Sequence, residues 1–228
     1  MNATACSSVL LVPGSWHGAW AYDAVAERLG RAGVNVTAID LPSNAGSAGL
    51  AEDAAAVRTA LDEISEPTVV VGHSYGGIAV SEGAAGSPDA VGLVYLCAFM
   101  LDEGESLLDV LQHRLPDWLS LDEATGSHIP ERSEEILYGD CAPEVAAEAA
   151  ARLSPQSVAA IATPQSAVAW QDTPSRYVVC GQDRAVAPPA QEAMAARAGS
   201  VHRLDSSHSP FLSRPDEVTE VVLEALGR

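Results

Sequence analysis

Residues 69–85 read VVVGHSYGGIAVSEGAA, three valines running into Gly-His-Ser-Tyr-Gly and then into a small-residue stretch with helical character. Gly72-His73-Ser74-Tyr75-Gly76 fits G-x-S-x-G, with a strand expected before it and a helix after it. So sharp a turn forces its central residue into strained backbone geometry, and glycines two positions away on each side remove Cβ atoms that would collide. The chemistry on offer is nucleophilic. The Ser74 hydroxyl is pushed out of the sheet edge, and the Tyr75 N–H, in the first helical turn, points into the same space with the helix dipole behind it.

A serine hydroxyl is a weak nucleophile until a base takes its proton. Of the six histidines, His73 adjoins Ser74 but faces away from it, His17 lies in an N-terminal loop, and His113 and His128 fall in a stretch without clear strands. His202 sits inside the run SVHRLD. His208, in LDSSHSPFLSRPDEV, combines a loop setting with the carboxyl edge of the expected last strand. Asp183, in VVCGQDRAV, follows another strand at that edge and is the preferred acid to orient the imidazole; Asp102, after VYLCAFML, competes for the role. The order Ser74, Asp183, His208 is the nucleophile, acid, base order associated with this turn. For a developing oxyanion, LLVPGSWHGAW follows the first strand: Gly14 lets the backbone come close, and the Ser15 N–H joins that of Tyr75.

These residues need a sheet to converge on. SVLLVP, VNVTAID, TVVVGH, VGLVYLC and SRYVVCG are continuous apolar runs, as expected of parallel strands covered on both faces. Between them, Ala24, Val25, Leu29 and Ala32, then Ala54, Val57, Leu61 and Ile64, and finally Val218, Val221, Val222 and Leu226 recur at helical spacing. The alternation predicts an α/β fold with a doubly wound, mainly parallel sheet. It lapses over residues 102–170, rich in Asp, Glu, Ala and Pro, where SLLDVLQHRL and PEVAAEAAARL read as helices and no strand is evident. That stretch is expected to be a helical insertion over the sheet's carboxyl edge, with residues 1–101 and 171–228 forming the core of one domain. Trp16, Trp118, Leu111 and Gly14, with Leu107 and Leu115, are the candidates for a substrate pocket.

Composition narrows the partners. Acidic residues outnumber basic ones 31 to 12, for a formal charge of −19, which disfavours nucleic acid and anionic lipid surfaces. All twelve basic residues are arginines, so no chemistry based on a side-chain amine is open. The four cysteines are scattered, with no metal-ligand spacing, and read as reduced structural thiols. No signal peptide or membrane span is evident, and a cytoplasmic setting is expected. The alanine-rich, arginine-only usage suggests a GC-rich bacterial coding sequence.

VPGSWHGAW, GHSYGG, GQDRAV and SSHSPFLSRPDEV occur in order across almost the whole chain, and in this the sequence resembles the α/β-hydrolase superfamily. SWHGAW after the first strand and YLCAFMLDEGES leading out of the fourth resemble the branch holding plant methyl-ester esterases, hydroxynitrile lyases and related bacterial esterases. The resemblance implies Ser74 as nucleophile, His208 as base, Asp183 as acid, the N–H groups of Ser15 and Tyr75 as oxyanion donors, and a helical cap over 102–170. It also implies that the antiparallel hairpin of larger members is missing or reduced. Lyase members carry a lysine directly after the catalytic histidine; here that position is Ser209, which speaks against cyanohydrin cleavage. The expected activity is therefore cleavage of a small-molecule ester or lactone, without cofactor or metal, with a homodimer left open. A non-hydrolytic cyclase or lyase using the same cradle, or a ligand-binding protein of this fold, are the alternatives.

Overall fold

The computed structural model describes residues 6–228. Its strands are β1 (Ser8–Val12), β2 (Asn35–Ala38), β3 (Thr68–His73), β4 (Ala90–Leu96), β5 (Leu119–Asp122), β6 (Ser127–Pro130), β7 (Gln156–Ser157), β8 (Ser175–Cys180) and β9 (Ser200–Leu204). The helices are α1 (Asp23–Arg31), α2 (Leu50–Ile64), α3 (Gly76–Gly83), α4 (Leu107–Val110), α5 (Ser133–Ile136), α6 (Pro143–Ala151), α7 (Val158–Ala162), α8 (Pro188–Ala195), α9 (Pro210–Ser213) and α10 (Pro215–Ala225). Six strands form one sheet in the order β2-β1-β3-β4-β8-β9, every pair parallel.

The unbroken apolar runs follow from that arrangement. Successive side chains of a strand point to opposite faces, and both faces are covered. Leu10, Val12 and Val70 enter the core with α2 and α3, whereas Val9, Leu11, Val69 and Val71 enter a second core with α1 and α10. The chain passes from β1 to β2 on one side and then returns to place β3 on the other. Beyond the carboxyl ends of β1 and β3 lies the crevice where open α/β sheets receive ligands. The Ser15 and Ser74 turns leave these two strands.

Residues 102–170 depart from the helical expectation. They hold α4 to α7 and also an antiparallel three-stranded sheet, β5-β6-β7. A hairpin joins β5 to β6. Asp122 Oδ1 accepts from the Ala124 N–H at 2.9 Å, and Gly126 closes the turn with φ +65°. The turn signal is present in LSLDEATGSHIP, but the strands are only four residues each, too short for an alternation to be read. SLLDVLQHRL, whose leucines suggest a longer helix, forms a single turn. Ser106 caps it by accepting from the Asp109 N–H at 3.1 Å, and left-handed backbone at Gln112 (φ +54°) and His113 (φ +56°) ends it. Among the described residues all four cysteines are free, and no helix is long and apolar enough to cross a membrane.

Candidate active site

Ser74 stands at the end of β3 with φ +52°, the left-handed region that non-glycine residues rarely occupy. The two flanking glycines are required for different reasons. A Cβ on Gly72 would lie 2.9 Å from the Gly76 carbonyl oxygen, a clash inside the turn itself. A Cβ on Gly76 would strike the Pro13 carbonyl oxygen and lie 2.9 Å from that of Val12, because the exit of β1 is pressed against the start of α3. That close approach presses the segment leading into Ser15 against the turn that carries Ser74 and Tyr75. Neither N–H donates to another group among the described residues.

Asp183 and His208 meet in the buried interior. His208 Nδ1 donates to Asp183 Oδ2 at 2.7 Å, with the two side chains 1% and 0% exposed. Since a carboxylate only accepts, the neutral imidazole carries its proton on Nδ1, and Nε2 is left as the base. The carboxylate is held from every side. Oδ1 accepts from the N–H groups of Ala185 (2.8 Å) and Val186 (2.9 Å), and Oδ2 also accepts from Gln191 Nε2 (2.8 Å). Gln191 is itself fixed, accepting from the Cys180 N–H and donating to the Val186 carbonyl. Ser74 and His208 line one cavity of about 440 Å³ including its mouth. Ser74 Oγ makes no hydrogen bond among the described residues; such bonds commonly tighten only when substrate arrives. Asp102, the competing acid, pairs instead with Arg197 at 2.8 Å, and Asp205 is an exposed acceptor for Gln182.

The pocket candidates divide. Trp16, Trp118, Leu107 and Leu111 line the cavity. Leu115 does not; it packs against the core. Gly14 also lies outside the lining, because its backbone runs under the turn: a Cβ there would be 2.8 Å from both Ser74 Cβ and His73 Nδ1. Its freedom from a side chain therefore serves the approach of β1 to Ser74.

Several supporting residues escaped the sequence reading. His73 Nε2 donates to the His208 carbonyl at 2.8 Å, and the two rings lie 4.6 Å apart, so the neighbour of Ser74 holds the base's main chain. Asn44, 5% exposed, donates to the carbonyls of Gly14 (2.9 Å) and His17 (2.8 Å) and accepts from the Trp16 N–H (3.0 Å). Asp53, at 0% exposure on α2, accepts from the Tyr75 hydroxyl (2.7 Å) and the Ser43 N–H (2.9 Å). Burial, the largest influence, raises the Asp53 carboxyl, and burial beside Asp53 raises the Tyr75 phenol well above its ordinary range. The turn Pro42–Ala45 thereby ties together both segments that flank Ser74. Gln156 of β7 adds the inserted segment by donating to Ser43 Oγ at 3.1 Å. A single Asn or Ser in a loop gives no sequence signal of such convergence.

His17, in the loop after β1, is buried. Its Nδ1 donates to the Ser15 carbonyl at 2.9 Å, leaving Nε2 to accept from the Tyr138 hydroxyl at 2.8 Å. Desolvation brings its pKa from 6.5 down to about 4, and likewise that of His128. A group with a depressed folded-state pKa binds more protons when unfolded, so its contribution to stability is whole above about pH 6.5 and is lost as pH falls towards 4. The full gap is worth roughly 3 kcal/mol for each histidine, offset in part by Asp53, whose raised carboxyl acts in the opposite sense. Urea midpoints measured across this range should fall with acidification, and His17→Gln should flatten the dependence. A midpoint independent of pH between 6.5 and 4.5 would contradict it.

A family model described as "Alpha/beta hydrolase family" matches residues 9–221. The chain is 32% identical to "Alpha/beta hydrolase nvfD" of Aspergillus novofumigatus (strain IBT 16806), over 96% of each chain. It is 27% identical to "Methylesterase 7" of Arabidopsis thaliana over 94% of each. Among solved structures, a pyrethroid hydrolase from Sphingobium faniae JZ-2 superposes with a TM-score of 0.82 at 22% identity, covering 97% of both chains, a likeness of fold.

Proposed function

We propose, on the premise that this chain belongs to the α/β-hydrolase family, that it is a serine esterase cleaving a small carboxylic ester, with a lactone as an equally accessible substrate. One observation carries the reading: the buried 2.7 Å contact of Asp183 with His208 in the cavity that Ser74 enters at strained φ. Ser74 Oγ attacks the ester carbonyl while His208 Nε2 takes its proton. The imidazolium then gives that proton to the departing alkoxide, leaving an acyl group on Ser74. Water, deprotonated by His208, releases the acid and restores the hydroxyl. Asp183 keeps the ring in the Nδ1–H tautomer and stabilises it when charged. The N–H groups of Ser15 and Tyr75 receive the oxyanion, and residues 102–170 act as a cap that keeps bulk water from the cavity. Names of relatives such as "Carbendazim hydrolyzing esterase" and "Methylesterase 7" agree with ester cleavage in general. No lysine follows His208, as a cyanohydrin lyase of this type would need.

Native protein treated with a fluorophosphonate and digested for mass spectrometry should carry the adduct on Ser74. Absence of that adduct, or labelling elsewhere, overturns the assignment.

Asn44 is a positioning residue in this scheme. In a trans peptide the C=O and N–H point in opposite directions, so anchoring the Gly14 carbonyl aims the Ser15 N–H away from Asn44. Asn44→Ala should lower kcat on p-nitrophenyl acetate by about a hundredfold, the worth of one oxyanion donor, with KM changed only a few-fold. Asn44→Asp keeps the acceptor for Trp16 but loses both donors, and should fall nearly as far. A loss carried entirely by KM would remove Asn44 from this role.

A further inference from the structure

The cavity wall carries a buried donor with nothing to donate to. His128, on β6, lines the same cavity as Ser74 and His208 and is 2% exposed. Trp16 Nε1 donates to the His128 carbonyl at 3.1 Å and to its Nδ1 at 3.3 Å, the two rings meeting edge to face. An indole nitrogen can only donate, so Nδ1 must accept, and a neutral ring then carries its proton on Nε2. Burial favours the neutral form, bringing the pKa to about 4. Nε2 has no hydrogen-bond partner among the described residues. Trp16 holds left-handed backbone (φ +67°), and in that conformation its N–H reaches Asn44 while its indole reaches His128. Apart from Ser15, Ser74, His128 and His208 the cavity is lined by apolar and aromatic side chains, Phe99, Leu107, Leu111 and Ile161 among them.

We propose that His128 is a specificity residue whose Nε2–H receives a second acceptor oxygen of the substrate, set apart from the scissile ester. The preferred substrate class is then an apolar ester bearing one further carbonyl, ether or hydroxyl oxygen. Apolar surroundings raise the value of this one bond, because a ligand lacking the acceptor leaves the donor unpaired in a dry site. The inference rests on the esterase reading for the orientation of the substrate, but it can be tested without turnover.

The Ser74→Ala protein is titrated by calorimetry with methyl octanoate and with methyl oxo-octanoates whose ketone is moved carbon by carbon along the chain. At one ketone position binding should be about tenfold tighter than for the plain ester. His128→Phe on that background should bring the ratio close to one, while His128→Gln, which still presents an N–H, should restore part of it. Equal affinity at every ketone position, or a preference that survives His128→Phe, overturns the proposal. A ketone preference in a protein whose Ser74 form hydrolyses none of the esters would leave His128 standing and sink the esterase reading. Hydrolysis without any ketone preference would do the reverse.

Discussion

Ser74→Ala should lower kcat toward p-nitrophenyl acetate by a factor of about 10^4 to 10^6 and abolish fluorophosphonate labelling, while leaving the fold intact. The size follows from removing the attacking atom while the oxyanion donors and the cavity remain. The fold should survive because Ser74 Oγ makes no hydrogen bond among the described residues and alanine keeps the same Cβ at φ +52°. Ser74→Gly, which relieves that left-handed conformation, should have a higher urea midpoint than Ser74→Ala and be equally inactive. If nucleophile and base act as a unit, adding His208→Ala to Ser74→Ala should cost little more. A Ser74→Ala protein retaining a tenth of the wild-type rate would mean that water or another side chain does the attacking.

Asp183→Asn should cost about 10^4 in kcat. Asparagine offers an NH2 where the carboxylate accepts. The imidazole can keep its bond to that group only by turning Nδ1 into an acceptor, which moves the proton to Nε2 and leaves no base facing Ser74. Gln191, Ala185 and Val186 all donate to Asp183, so the introduced donor finds no acceptor among them. That mismatch should lower stability by roughly 1–3 kcal/mol as well. Asp102→Asn is the companion measurement: paired with Arg197, Asp102 should be nearly silent in kcat. A fall of similar size at Asp102, or less than tenfold at Asp183, would move the acid elsewhere.

The parallel sheet was legible because burial on both faces leaves a mark that short range suffices to read: Leu10, Leu11 and Val12, or Val69, Val70 and Val71, admit no polar side. Ser74 was equally legible, since a glycine pattern at a strand-to-helix junction is a local backbone requirement. Asp183 and His208 could be singled out by type, order and sheet edge, because parallel strands bring all their carboxyl ends to one rim. The inserted segment resisted reading. Its two longer strands are held by pairing with each other and by a four-residue turn, and its one-turn α4 ends in left-handed Gln112 and His113, which no leucine spacing announces.

What only the tertiary structure decided are meetings between residues far apart in the chain. Gly76 is glycine because Pro13 passes across it, Gly14 because Ser74 does, and neither reason exists until β1 and β3 are neighbours. Asn44 binding three main-chain groups of one loop, Gln191 bracing Asp183, and Trp16 fixing the tautomer of His128 are likewise long-range hydrogen bonds. Hydrophobic periodicity encodes which face of an element is buried, and so yields the sheet and its rim. The polar partners waiting in that buried space are set by three-dimensional proximity, which no single stretch of sequence contains.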